Sequence, residues 1–272
     1  MASTLTVLGL CCIVLRAAGV YAAENGGEFA VQLTDDDWQA TSASSVAPVS
    51  MTPPMRGSPS KKLRRDYARL DAFLDALERD IYPEPPTPMH DELINSAVRL
   101  LNNSGVLNPQ TRLLDVGCGQ GTSLALFTEL GLSPVGLTMG AEDFAVCQQK
   151  GFHVVQADQT FMDFDPASFD FIFARHVLEH SFAPLFTLHE FKRVLAPGGL
   201  VYAEVPMPGT KAQHEQNMNH YSVLTHVAWA ALFERAGFAV RHSQEIAFEL
   251  ATEPPTNDLY WMFVLQSITV VQ

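Results

Sequence analysis

"LLDVGCGQG", residues 113–121, places three glycines at alternate positions between an apolar run and "TSLALFTELG" (122–131), a segment that reads as a helix. A strand that enters a helix through so bare a turn opens its backbone to a ligand, because no Cβ stands between the chain and the approaching group. Outward from this turn a pattern repeats. Strand-like runs stand at "RLLDVG" (112–117), "PVGLT" (134–138), "HVVQAD" (153–158), "FDFIFA" (169–174) and "LVYAEVP" (200–206). Helix-like runs separate them at 122–130, 141–150 and 184–195, and "APGG" (196–199) makes a tight turn into the fifth strand. Such alternation means right-handed βαβ units and a mostly parallel sheet. The end of the chain differs. "SVLTHVAWAALFERAG" (222–237) is an amphipathic helix closed by Gly237, a residue type suited to the position past a helix end. "FAVRHSQEI" (238–246) and "YWMFVLQSITVV" (260–271) follow with no helix between them, which suggests an antiparallel pair at the sheet edge.

The chain before residue 112 is an extension. Residues 1–23 hold an unbroken run of apolar and small residues from Leu5 to Leu15, then a small-x-small pattern at Val20, Tyr21 and Ala22 ahead of the first acid, Glu24. The run is too short to span a bilayer, which takes ~20 residues. It has the shape of a signal peptide without the basic n-region. The expectation is a secretory signal or a membrane anchor, with organelle targeting as the alternative, and any membrane contact passes through this segment. Residues 24–60, with "SASSVAPVSMTPPMRGSPS" at 42–60, read as a flexible linker. Order is expected from Lys61 onward, so that one domain covers 61–272. It opens with a helix whose Leu63, Tyr67, Leu70, Leu74, Leu77 and Ile81 share a face and which is expected to pack on the main domain. "YPEPPTPMH" (82–90) breaks it, and a second helix follows over Asp91–Leu101.

Charge narrows the ligand classes. The net charge is −13, and seven of the 17 Lys and Arg fall between residues 56 and 79. Nucleic-acid binding needs a basic footprint that the later chain lacks, so no nucleic-acid partner is expected. Cys118 and Cys147 have neither zinc nor disulfide-framework spacing and read as reduced thiols.

The dinucleotide fingerprint G-x-G-x-x-G fits Gly117 and Gly119 but fails at its sixth position, Thr122. The pattern here is D-x-G-x-G-x-G, with Asp115 two residues before Gly117 and with Gly121 closing the turn. A carboxylate at that point repels a pyrophosphate. It does not repel S-adenosylmethionine, which carries an ammonium, a sulfonium, and a carboxylate that can accept backbone N–H bonds near a helix start. The second strand ends in Thr138 where a ribose-binding acid is expected; its hydroxyl can still meet a ribose, and Asp143 can supply the carboxylate. After the third strand, Asp158 can accept from the adenine amino group and the backbone N–H of Gln159 can complement it.

These pieces resemble the class I S-adenosylmethionine-dependent methyltransferases of the broad small-molecule type. The resemblance rests on "LLDVGCGQG", "QADQTFMDFDPASFDFIFARHVLEH" (156–180) and "FKRVLAPGGLVYAEVP" (191–206), and extends to "NHYSVLTHVAWAALFERAGF" (219–238). It implies a Rossmann-like, doubly wound α/β sheet of seven strands with an antiparallel last strand, here with an N-terminal helical extension. It also implies methyl transfer from S-adenosylmethionine to a small-molecule acceptor at O, N or C. "GLTMGAED" (136–143) is similar to the "G-x-T-L-S-x-E-Q" variant of cyclopropane-synthase-like and some sterol and sugar methyltransferases, with Asp143 in the place of Gln.

The resemblance puts the loop after "FDFIFA" beside the methyl group, so His176 and His180 are expected to line the cofactor pocket, with His176 toward adenine. The two lie four apart and can share a helix face, but no third ligand is spaced with them, and no metal is expected. His220 is the favoured base, with His180 as a second candidate and Tyr221 to orient the acceptor; His214 stands in the same loop. Trp229, Phe233, Trp261 and Phe263 read as core. Every one of these motifs also suits a second function: a cofactor-binding module or scaffold that keeps the fold without catalysis.

Overall fold

All four residues of β1 (Leu113–Val116) are buried, because this strand lies in the middle of a sheet covered on both faces. The computed structural model describes residues 67–79, 88–250 and 256–268. The expected leader (1–23) and linker (24–60) lie outside the described residues. The chain divides into two units, and the described part of one is helix α1 (Tyr67–Arg79). Among the described residues no helix is long and apolar enough to cross a membrane.

The described part of the other unit begins with α2 (Pro88–Asn103) and continues through β1, α3 (Thr122–Glu129), β2 (Val135–Thr138), α4 (Ala141–Gln149), β3 (Val154–Gln156), β4 (Phe169–Arg175), α5 (Pro184–Val194), β5 (Leu195–Pro206), α6 (His226–Ala236), β6 (Phe238–Leu250) and β7 (Thr256–Ser267). The seven strands form one sheet in the order β3-β2-β1-β4-β5-β7-β6. The first five are parallel, and β7 runs antiparallel to both β5 and β6. The last two strands thus form the antiparallel pair that the missing helix between them implied, and the last inserts between the fifth strand and the edge strand.

Period-two alternation sorts the strands' side chains between two layers. Phe171 and Phe173 of β4 join Leu113, Tyr202, Phe127 of α3 and Val98 of α2 on one face. Ile172 and Ala174 join Leu114, Val201, Phe191 of α5 and Trp229 and Phe233 of α6 on the other. Strands buried on both sides must read as continuous apolar runs, which is why "FDFIFA" carries only one acid.

Two boundaries depart from the sequence reading. Helix α6 begins at His226, not near Ser222: the Thr225 side chain caps it by accepting the Ala228 N–H at 3.3 Å, and Ser222 N–H is committed to the Glu179 carbonyl at 3.1 Å. The "APGG" turn is taken up in β5 as an irregularity, since pairing with β4 jumps from Phe169↔Leu195 to Phe171↔Leu200. Gly237 ends α6 at φ 88, as expected.

Connectivity decides where a ligand fits. From β1 the chain moves outward to β2 and β3, then crosses back to β4 on the other side of β1. Crevices form at the carboxyl ends of strands where the order reverses in this way, which here means after Val116 and after Arg175. Trp229 is the largest fully buried side chain; Trp229→Ala is expected to lower the unfolding free energy by about 3–5 kcal/mol, measured by denaturant titration.

Candidate functional site

The three glycines of the turn do different work. Gly117 and Gly121 have φ of 72 and 87, a backbone region that other residues enter at a cost. A Cβ on Gly117 would stand 2.6 Å from Val177 Cγ2, and one on Gly121 would stand 2.9 Å from the Phe152 ring. Those two positions are closed by packing. Gly119, at φ 50, has nothing within 4 Å of where its Cβ would point. It faces open space in the crevice and is where the backbone can receive a ligand. The N–H groups of Gly117 and Cys118 both donate to the Leu137 carbonyl, at 2.8 and 3.1 Å, and fix the turn to β2.

Asp115 lies on β1, just before the turn, with 2% of its surface exposed. It accepts a bond from the Ser123 hydroxyl. Burial pushes its pKa up to about 7, against the pull of the Ser123 bond. A carboxylate so placed favours a cation beside it. Across the turn, α3 starts at Gly121 with no side-chain cap, which leaves first-turn N–H groups for an anionic partner. Thr122 Oγ1 donates to Asp91 Oδ1 at 2.9 Å and ties α2 to the same turn.

The other residues expected at the cofactor stand at the ends of the next strands. Thr138 is buried at the end of β2. Asp143 lies in the first turn of α4 with its carboxylate folded back, 3.3 Å from where a Cβ on Gly140 would be. Asp158 commits one oxygen to closing its own turn, accepting from Thr160 N–H at 2.6 Å. The Gln159 side chain does more than its backbone was expected to do: Nε2 donates to the Val177 carbonyl at 2.9 Å and joins the loops after β3 and β4.

His176 and His180 do not share a helix face. His176 takes a left-handed φ of 53, and a single 3-10 turn, Leu178–His180, follows it. This kink sends the two rings apart. His176 stacks on Tyr260, centroids 4.3 Å apart, with Nε2 3.6 Å from Glu204 Oε2. Burial, helped by the Arg175 charge, pushes its pKa down to about 4, so the ring is a neutral imidazole at neutral pH. Beneath it lies a buried ion pair, Arg175 Nε to Glu204 Oε2 at 2.6 Å, with the Tyr202 hydroxyl donating to the same carboxylate.

His180 turns the other way, toward the loop after β5. Its Nδ1 lies 3.1 Å from the Asn219 carbonyl, and its ring meets His220 edge-on at 4.8 Å. His220 Nδ1 lies 3.1 Å from the His214 carbonyl, and its Nε2 lies 3.1 Å from the Asn217 amide nitrogen. His214 in turn bonds Asp258 Oδ1 at 2.8 Å, and Tyr260 donates to Oδ2 of the same carboxylate, also at 2.8 Å. Tyr221, 45% exposed, borders the loop. The structure therefore brings His180 and His220 together and sets His176 apart from them. Sequence reading missed Ser123, Glu179, Asp258 and the Arg175–Glu204 pair. Asp115 and Ser123, eight apart, carried the only local signal; the rest meet across distant segments.

Comparison with known proteins agrees with this architecture. Residues 68–243 match the family described as a methyltransferase domain. A ubiquinone biosynthesis O-methyltransferase of Klebsiella pneumoniae is 31% identical over 98 residues, 34% of this chain and 40% of that protein. The match thus spans less than half of that relative's length. An S-adenosylmethionine-dependent methyltransferase from Methanosarcina mazei has a TM-score of 0.52 at 16% identity, over 61% of this chain and 97% of that one. The [4+2]-cyclase SpnF has a TM-score of 0.52 at 16% identity, over 64% of this chain and 82% of that one. At these identities the likeness to solved structures is one of fold.

The glycine geometry gives a test. Gly119→Ala is expected to lower stability by only about 1 kcal/mol, the cost of a left-handed alanine, while weakening S-adenosylhomocysteine binding by about tenfold or more, about 1.4 kcal/mol of binding free energy. Gly117→Ala should cost clearly more stability, because its methyl group meets Val177. Thermal melts and calorimetric titration of both variants check the distinction.

Proposed function

Because the chain belongs to the methyltransferase-domain family, we propose that it transfers a methyl group from S-adenosylmethionine to an oxygen of a small-molecule acceptor. The observation that carries this reading is the open space over Gly119, bounded by a buried carboxylate and an uncapped helix start. A dinucleotide would set its pyrophosphate against Asp115. The cofactor's ammonium suits Asp115, and its carboxylate suits the N–H groups at the start of α3. In this reading Thr138 and Asp143 meet the ribose, and Asp158, Gln159 and His176 border the adenine. The neutral state of His176 keeps a like charge away from the sulfonium.

Held in this space, S-adenosylmethionine supplies a methyl group on a sulfonium that leaves without protonation. The protein's share of the work is then alignment of acceptor and methyl and relief of any proton the acceptor must lose. The acceptor side of the crevice is the His180–His220 pair with Tyr221. A carbonyl oxygen only accepts, so the contact of His220 Nδ1 with the His214 carbonyl fixes the proton on Nδ1. That leaves a lone pair on Nε2, where the Asn217 amide now donates and where an acceptor hydroxyl would take its place. A basic imidazole at this point favours an oxygen acceptor, and the name of the Klebsiella relative supports the same atom.

Incubation with methyl-labelled S-adenosylmethionine and a small-molecule extract is expected to yield a labelled product. With the acceptor in hand, His220→Ala should lower kcat by about 100-fold with little change in S-adenosylhomocysteine affinity. Cofactor-product binding without any label transfer would favour the non-catalytic alternative. Full turnover by His220→Ala would remove His220 from the proton's path.

A further inference from the structure

The chemistry-bearing groups on the acceptor side are more than a histidine pair. Glu179, His180 and His220 each offer a ligand atom, and these atoms all lie within 4.8 Å of one another. We propose that these three residues bind a divalent transition ion of the zinc class, and that the acceptor's oxygen completes its coordination. The second clause rests on the methyl-transfer reading above; the first does not.

Three observations point to an ion. The first is the donor set. Two imidazoles and one carboxylate suit zinc and its neighbours, whereas magnesium and calcium take oxygen ligands. The second is the tautomers. His180 Nδ1 contacts the Asn219 carbonyl and His220 Nδ1 contacts the His214 carbonyl, each at 3.1 Å. A carbonyl cannot donate, so both rings carry their proton on Nδ1 and present Nε2 as a lone pair. Metal-binding histidines are held in this way, with the second nitrogen donating to a carbonyl or carboxylate. The third is rigidity and burial. Ser222 N–H donates to the Glu179 carbonyl at 3.1 Å, so the loop after β5 is stitched to the turn after β4. Glu179 itself is 1% exposed, so its carboxylate is held in place beside the two rings.

The spacing is looser than in a loaded site. Bonds of about 2.0–2.2 Å in a tetrahedron put ligand atoms about 3.5 Å apart, so the cluster has to close by roughly an ångström. The Asn217 amide also has to leave His220 Nε2. Three protein ligands leave a fourth position open, as catalytic zinc sites do. An acceptor hydroxyl bound there becomes more acidic; its proton passes to water, the oxygen bonds to the methyl carbon, and the carbon–sulfur bond breaks with its electron pair staying on sulfur. His220 then acts on the hydroxyl through the ion.

The test needs neither cofactor nor acceptor. The full chain, dialysed against a chelator, is titrated with Co2+ and followed by visible absorbance, then back-titrated with Zn2+. The proposal expects one ion per chain, with ligand-field bands of a nitrogen and oxygen set and no sulfur-to-metal charge-transfer band, although Cys118 and Cys147 are present. His220→Ala and the volume-conserving Glu179→Gln should each weaken binding at least tenfold, with circular dichroism unchanged. His226→Ala, whose ring packs on Trp261 and Phe263, should bind as the parent does. No cobalt spectrum in the parent protein, a sulfur charge-transfer band, or unaltered binding in Glu179→Gln and His220→Ala together would overturn the metal site. Methyl transfer that proceeds without an ion would leave the methyltransferase reading standing and overturn the ion's contact with the acceptor; a bound ion without methyl transfer would leave the metal site standing and the methyltransferase reading fallen.

Discussion

A carboxyl group lies buried in β1, an interior strand of this sheet, and the glycine turn follows directly from it. Asp115 stands between Gly136 of β2 and Phe173 of β4 in register, with the Ser123 hydroxyl bonded to it. Removing an ionised carboxylate from water is costly, so the group is held near the neutral form, with its pKa raised to about 7. The sign of the consequence follows. An unfolded Asp ionises near pH 3.8, so this group's contribution to the ligand-free fold is fully present at low pH and is lost as pH rises from there through about 7. A cationic ligand beside Asp115 reverses that penalty. Such an acid weakens the free protein, and a cation placed beside it would recover that cost.

The kink at His176 divides the crevice into two ends. Its left-handed backbone is tied down by its own N–H, which donates to the Glu204 carbonyl at 3.0 Å, and the Arg175–Glu204 pair beneath it is buried on both partners. Losing one half of such a pair leaves a buried charge unmatched, so the two strand ends are locked in register. His176 then stacks on Tyr260, while His180 meets His220. Tyr260 also meets His214, so one tyrosine links the two histidine neighbourhoods.

Much of this was legible in the sequence where the signal is local. Alternating strand and helix patterns give the parallel sheet, and the absent helix near the C-terminus gives the antiparallel pair, though not the insertion of its second strand beside β5. D-x-G-x-G-x-G identifies the turn, because glycine spacing and a nearby acid sit within seven residues. What could not be read depends on φ angles and on distant segments. Nothing in "RHVLEH" announces that His176 adopts φ 53 and splits the histidines that a helix would have aligned. Nothing in Asp258 announces its bond to His214, 44 residues earlier. The start of α6 was misplaced because an apolar periodicity at Val223 and Leu224 continues past the true cap, and Thr225 decides the boundary by a side-chain bond that pattern alone does not rank.

The central claim is that Asp115 is a near-neutral buried acid that ionises to meet a cationic cofactor. Calorimetric titration of the protein with S-adenosylhomocysteine, at pH 6 in buffers of different ionisation heat, counts the protons released on binding. With a free pKa of about 7 and a much lower one in the complex, the account predicts release of close to one proton at pH 6, fading by about pH 8, and no such release from Asp115→Asn. Binding with no proton release at pH 6, or the same release from Asp115→Asn, would contradict it.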